Sequence, residues 1–272
     1  MAGSGSPAAG WWLLEAPTLS PAANMALDHA VLDHAVGGDA VGGGAVLDHA
    51  IDSTEPVAVV RIYRWRPAAL SVGAHSELPP GILERCAAAG VAVVRRPTGG
   101  GCVLHDADLT YSVVAPDGGR GVLEAYRWVA AGLIAGLGRL GIAAAIAEHG
   151  PAGRPLNCFQ VPTGADLAVA GRKLCGSAQL RRGWWFLQHG SIPVSDVRAR
   201  TAELLGSPPD DRSTFLECVK PGTTWEDLAA AIVEGFAAAW GSSPRRRQVD
   251  PEEWHLCKEE RATVQANHAV VA

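Results

Sequence analysis

Three segments of the chain carry residue types and spacings suited to bond-making chemistry. The first runs Arg95-Arg96-Pro97-Thr98-Gly99-Gly100-Gly101-Cys102-Val103-Leu104-His105-Asp106. Adjacent glycines after a strand let the backbone approach a ligand closely and turn successive N–H groups toward an anion or a carbonyl oxygen. Arg95 and Arg96 offer cations to a phosphate or carboxylate. The segment fits neither a Walker A loop, which needs Gly-Lys-Ser/Thr at its end, nor the G-x-G-x-x-G turn that opens a helix. A glycine-rich hairpin turn with solvated arginines is the plain alternative. The second segment, Gly171-Arg172-Lys173-Leu174-Cys175-Gly176-Ser177-Ala178-Gln179, sets a lysine beside a glycine turn and follows it with hydroxyl and amide donors. It suits a reacting carbonyl, or an exposed hairpin tip. The third, Gln188-His189-Gly190-Ser191, puts His189 late in a strand, as a base, a ligand or a structural imidazole.

Cysteine adds a further possibility. Cys86, Cys102, Cys158, Cys175, Cys218 and Cys257 include no C-x-x-C pair, so neither a metal site nor a disulfide framework is expected. Most such thiols are small core residues. A free thiol with a pKa of about 8.5 is only a few per cent ionised at neutral pH, and a neighbouring cation raises that share and supplies a nucleophile.

The elements that must position these groups can be read from pattern. Residues 1–10 are expected to form a disordered leader and residues 11–272 one catalytic domain, with no linker visible. Strands are expected at 11–16, at 57–73 as a strand, turn and strand around Pro67, and at 91–116 as a hairpin around the glycines. Further strands fall at 166–169 and 173–180 about Gly171, and at 183–194. Helices are expected at 24–36 with Asn24 as N-cap, and at 83–89, 123–140, 224–240 and 252–262. Strands cluster instead of alternating with helices, so the fold class is α+β. The tripeptide Leu-Asp-His occurs at Leu27, Leu32 and Leu47. His29 and His34 are five apart and fall on different helix faces, so local duplication explains the repeat better than a ligand set.

Composition excludes several classes. With 48% hydrophobic and 19% charged residues the chain is not disordered. A net charge of −5 gives no general attraction to nucleic acid or anionic membrane. No apolar run reaches the ~18–20 residues of a membrane span, and the first residues lack a secretory pattern. A cytoplasmic protein is expected.

Four stretches taken together, RRPTGGGCVLHDADLTYSVV, AGRKLCGSAQLRRGWWFLQHGSI, NMALDHAV and RIYRWRPAALSVG, resemble the biotin/lipoate protein ligase and octanoyltransferase superfamily in order and spacing. The likeness spans about Trp11 to Trp240. It implies a mixed or antiparallel β-sheet packed by helices, plus a smaller sheet. It also implies an enzyme that attaches a lipoyl-type acyl chain to a lysine of a carrier domain. By the same likeness Gly99, Gly100 and Gly101 cover the acyl head, His105 and Asp106 shape that loop, and Lys173 is the lysine of the catalytic site. The family carries a glycine after His-Asp-x, where this chain has Ala107 and Asp108.

Cys158 decides between the superfamily's chemistries. The stretch from Cys158 to Thr163, Cys-Phe-x-x-Pro-Thr, begins 15 residues before Lys173 and resembles the cysteine-dependent octanoyltransferases; the ATP-dependent ligases carry an Asn-Asp type sequence there. The implied reaction moves octanoate from acyl carrier protein to the Cys158 thiolate. It then passes to a lysine of a lipoyl domain, in a glycine cleavage H protein or a dehydrogenase E2, without ATP, cofactor or metal. Lys173 is the expected cation at the sulfur. Arg96, Gly176, Ser177, Gln179 and His189 join the loop residues as substrate contacts, and the acyl chain is expected along Leu70, Val72 and Val103. Arg172, Lys173, Arg181, Arg182, Arg245, Arg246 and Arg247 are candidate docking groups for acidic carriers; Trp184 and Trp185 are core strand or docking face. The competing readings are an ATP-dependent lipoate or biotin ligase, octanoyl transfer between carrier proteins, and a non-catalytic acyl-binding relative.

Overall fold

The computed structural model describes residues 10–16, 18–37, 57–150, 153 and 155–249. The expected leader, the third Leu-Asp-His copy, Cys257 and the helix at 252–262 fall outside them, apart from Gly10.

Burial on both faces explains the composition of the central strands. β3 (Ala58–Trp65), β7 (Asp108–Pro116) and β11 (Trp185–Pro193) are buried along almost their whole length, as strands covered on two sides must be. They form the middle of a nine-stranded mixed sheet in the order β12-β1-β3-β7-β11-β10-β9-β8, with the short β2 (Thr18–Leu19) beside β3. The outer members are β1 (Trp11–Glu15), β8 (Ala145–Ile146), β9 (Leu167–Val169), β10 (Arg172–Arg182) and β12 (Arg245–Gln248). On one face Val60, Tyr111, Val113 and Phe186 pack against Leu133 and Phe236. These last two belong to the long helices α3 (Val122–Arg139) and α6 (Trp225–Trp240). On the other, Leu14, Val59, Val114 and Leu187 pack against Leu27 and Val31 of α1 (Pro21–Ala35).

A second sheet of three strands has β4 (Ala69–Val72) in the middle, parallel to β5 (Ala92–Arg95) and antiparallel to β6 (Cys102–His105). Leu70, Val72 and Leu104 form its core with Ile82 and Cys86 of α2 (Ile82–Ala88) and Leu204 of α4 (Arg198–Leu205). The α+β architecture therefore matches the expectation from the strand clustering.

Several details differ from the sequence reading. α1 begins three residues before Asn24 because Pro21 pre-sets the first helical position. Its cap is Ser20, whose Oγ accepts from Ala23 N at 3.3 Å; Asn24 is buried and donates to the Arg64 carbonyl at 3.0 Å. Residues 91–116 are not a hairpin. β4 separates β5 from β6, and the connecting residues bond to the segment after β4, through Gly73 N to Gly101 O at 3.0 Å and Ala74 N to Thr98 O at 2.8 Å. Two short helices, α4 and α5 (Leu216–Val219), were not anticipated. Arg245, Arg246 and Arg247 lie in β12, a strand the sequence reading did not anticipate, and Arg246 pairs with Glu15 at 2.7 Å. The tryptophan pair is split: Trp185 is 6% exposed and in the core, Trp184 is 55% exposed. No helix among the described residues is long and apolar enough to cross a membrane.

Candidate functional site

Residues 156–158 run as a short parallel extension beside β6. Cys102 N donates to Leu156 O at 2.5 Å and Cys158 N to Cys102 O at 3.1 Å. The buried Asn157 then accepts from Phe159 N at 3.0 Å, an Asx turn that ends the extension at Cys158. Glycine is needed here for contact. A Cβ on Gly101 would sit 2.2 Å from Leu156 O, and one on Gly73 would sit 1.8 Å from Gly100 O. The glycine segment is thus wedged between residue 73 and the cysteine segment. Among the described residues no acceptor within the chain takes the N–H of Gly99, Gly100 or Gly101.

Lys173 enters from β10. Ala170 and Gly171, with φ of 48° and 76°, form the tight primed turn that joins β9 to β10, and a bulge between Lys173 and Cys175 re-aims the strand. The ammonium is buried, donates to Cys158 O at 2.7 Å and pairs with Asp166 at 2.7 Å. Asp166 in turn accepts from Thr163 N at 2.8 Å, Thr163 Oγ1 at 3.0 Å and Ser177 N at 3.0 Å. The lysine therefore holds the cysteine's carbonyl. The cation found at the sulfur is Arg96, whose Nη2 lies 3.6 Å from Cys158 Sγ.

Two histidines stand behind this pair. His189 Nε2 is 2.6 Å from Thr98 Oγ1, and its Nδ1 is 3.4 Å from Asp28. Burial pushes the His189 pKa below its ordinary value, against the pull of Asp28. Burial alone would raise the Asp28 carboxyl, but the Arg61 guanidinium, His189 and Ser112 outweigh it and bring it down to about 2. His105 stacks on Trp65 with centroids 4.1 Å apart and bonds Asp108 and Ser71, each at 2.8 Å.

The other thiols beside the site are poor nucleophiles. Burial pushes both Cys102 and Cys175 up to about 12, whereas Cys158 is only half-buried. It opens on a cavity of about 630 Å³. Arg96, Gly99, Gly100, Gly101, His105, Lys173, Gly176, Ser177 and His189 line this cavity too, as does Val103. Asp106 does not: it turns outward to pair with Arg200, because it sits at the tip between β6 and β7. Nor does Gln179, which lies farther along β10 opposite Gln188 and bonds its side chain at 3.2 Å. Leu70 and Val72 face the small sheet's own core. The sequence reading missed Asp166, Ser71, Trp65 and Thr98. For Asp166 the Thr-x-x-Asp spacing from Thr163 was the available signal; Ser71 and Trp65 carried none. Asp28 was masked by its place in the Leu-Asp-His repeat.

Comparison with known proteins gives the family and the fold. The model of the lipoyl protein ligase A/B catalytic domain matches residues 20–237. Octanoyltransferase LipM of Kyrpidia tusciae is 34% identical over 94% of this chain and 93% of its own length. Octanoyltransferase LipM of Carboxydothermus hydrogenoformans is 39% identical over 68% of this chain, and the match spans 65% of that protein. A crystal structure of lipoate-protein ligase A bound with ATP shares the fold, with a TM-score of 0.71 at 20% identity over 92% of this chain and 93% of that one. The chain belongs to the lipoyl protein ligase A/B catalytic domain family.

Proposed function

We infer that this chain is an octanoyltransferase of protein lipoylation that works through a thioester on Cys158. Its relatives named octanoyltransferase, at 34% and 39% identity, support the reaction. The observation that carries the route is the half-buried Cys158 at a cavity with a guanidinium 3.6 Å from its sulfur.

The acceptor is a lysine of a lipoyl domain. The donor is octanoyl-acyl carrier protein. The Cys158 thiolate attacks the octanoyl carbonyl, the new C–S bond forms, and the bond to the carrier's pantetheine sulfur breaks. That sulfur leaves as a thiolate and takes a proton from water. One thioester replaces another, so the step is close to thermoneutral and needs no nucleotide. The N–H groups of Gly99, Gly100 and Gly101, which take no acceptor among the described residues and belong to residues lining the cavity, are the donors this reading assigns to the oxyanion; removing one such donor costs roughly 3–4 kcal/mol in comparable sites. The acceptor amine then attacks the acyl-enzyme, an amide forms, and Cys158 returns as thiolate while the amine's proton passes to solvent. The greater stability of an amide over a thioester drives this step. Met25, Trp65, Val103 and Val161 provide apolar wall for the chain, worth about 0.8 kcal/mol per CH₂ buried.

Intact-mass analysis tests the reading. Without nucleotide, wild type mixed with octanoyl-acyl carrier protein gains one octanoyl group, C158A gains none, and C102A and C175A still gain it. A wild type that gains nothing, while free octanoate stimulates ATP–pyrophosphate exchange equally in wild type and C158A, overturns it in favour of an ATP-dependent ligase.

A further inference from the structure

Among the described residues the buried Lys and Arg side chains are Arg61, Arg96 and Lys173. Arg61 pairs with Asp28 and Lys173 with Asp166. Arg96, at 5% exposure, meets no carboxylate among the described residues. Its contacts are the Ser71 carbonyl at 3.0 Å, Ser71 Oγ at 3.2 Å, the Gly99 carbonyl at 2.8 Å and Cys158 Sγ at 3.6 Å. A guanidinium held out of water without an anion is costly, and an anion placed against it removes most of that cost. Only one of its four partners can become an anion. That partner is the sulfur.

We propose that Arg96 is a catalytic residue that serves as the counterion of the Cys158 thiolate, with Ser71 and His105 as the positioning residues that aim it. This rests on Cys158 being the nucleophile. The aim is fixed by a run of hydrogen bonds. Ser71 Oγ accepts from Arg96 and so donates its own hydrogen to His105 Nε2, at 2.8 Å; His105 then donates from Nδ1 to Asp108, also at 2.8 Å. Asp108 is held by Thr110 Oγ1 at 2.8 Å and Ser191 Oγ at 2.6 Å, and the Trp65 stack sets the ring plane. Gly100 keeps open the space where the two groups meet. A Cβ there would lie 2.8 Å from Arg96 Nη2 and 3.3 Å from Cys158 Sγ. Lys173, already neutralised by Asp166, anchors the backbone of residue 158 and leaves the thiol's charge to the arginine.

Alkylation with two reagents of one shape and different charge tests this. Rates at Cys158 are read by peptide mass, using anionic iodoacetate and neutral iodoacetamide. A cation at the sulfur favours the anionic reagent, whereas a merely structural loss slows both alike. R96Q is expected to lower the iodoacetate-to-iodoacetamide ratio about tenfold and to slow octanoyl-thioester formation by at least as much. R96K, which keeps the charge but not the fork, falls between. S71A, which leaves the backbone carbonyl contact in place and preserves folding if R96Q does not, lowers the ratio by about threefold. A ratio unchanged in both R96Q and S71A overturns the proposal, as does a ratio that collapses only in K173Q. Failure of the thioester reading is a separate result: wild type that takes no octanoyl mass from the donor while its preference for iodoacetate stands.

Discussion

Asp28 combines complete burial with four side-chain donors: Arg61, Tyr63 at 2.9 Å, Ser112 at 2.7 Å and His189 at 3.4 Å. Its carboxyl titrates at about 2 instead of 3.8, so it stabilises the fold fully above pH 3.8 and loses that contribution as pH falls toward 2; the shift is worth about 2 kcal/mol. D28N leaves Arg61 buried without an anion and is expected to cost about 3–5 kcal/mol, read as a fall in the urea midpoint. His189 adds an earlier acid limb. Its pKa is depressed from 6.5 by burial, so the stability it supports is present above pH 6.5 and fades below it. Thermal unfolding followed from pH 7.5 to 5 should fall less steeply in H189Q than in wild type. Residue types in register made Cys158, Lys173 and the three glycines legible in the sequence. The long-range ion pairs were not, because Asp28 reaches Arg61 only when α1 packs on the sheet and Asp166 meets Lys173 only across the turn between β9 and β10, so neither partner is marked by sequence spacing. The same blindness assigned the thiol's cation to Lys173 when the side chain beside the sulfur is Arg96.

At the level of elements, α3 and α6 cross at contact distance because three glycines face one another. A Cβ on Gly235 would lie 2.2 Å from Gly136 N and one on Gly132 2.2 Å from Phe236 Cδ1. G235A therefore forces the helices apart and is expected to destabilise by about 1–3 kcal/mol, measured by chemical denaturation, as overpacking does elsewhere. G73A acts on the site: its methyl would collide with the Gly100 carbonyl, displace the glycine segment and cut octanoyl-thioester formation on Cys158 at least tenfold while the midpoint of unfolding moves less than in G235A. Both helices were readable from apolar periodicity, which is a local property. The connection from β5 to β6 was not, since the strand between them comes from about twenty residues earlier, and spacing alone favours the nearest partner.

For the whole molecule, the cavity lies where the two sheets meet. β4 and β6 of the small sheet bring Ser71, Val103 and His105, while β10 and β11 of the large one bring Lys173, Ser177 and His189. Each sheet has its own hydrophobic core, and Cys158 and Arg96 both hang on the small one, so how those cores dock sets the distance from this pair to the Lys173 ammonium. The large sheet has a further property. Its last described strand, β12, runs parallel to β1, and Gln248 reaches Glu15 across 233 positions. During synthesis on the ribosome, Trp12 to Glu15 emerge well over two hundred residues before their β12 partners and keep an open rim until these follow. A nascent chain stalled before Arg245 would thus carry a bare strand ready to pair with a neighbour, and a protein ended at Gly241 is expected to form light-scattering oligomers on refolding where the full chain returns as a clear solution.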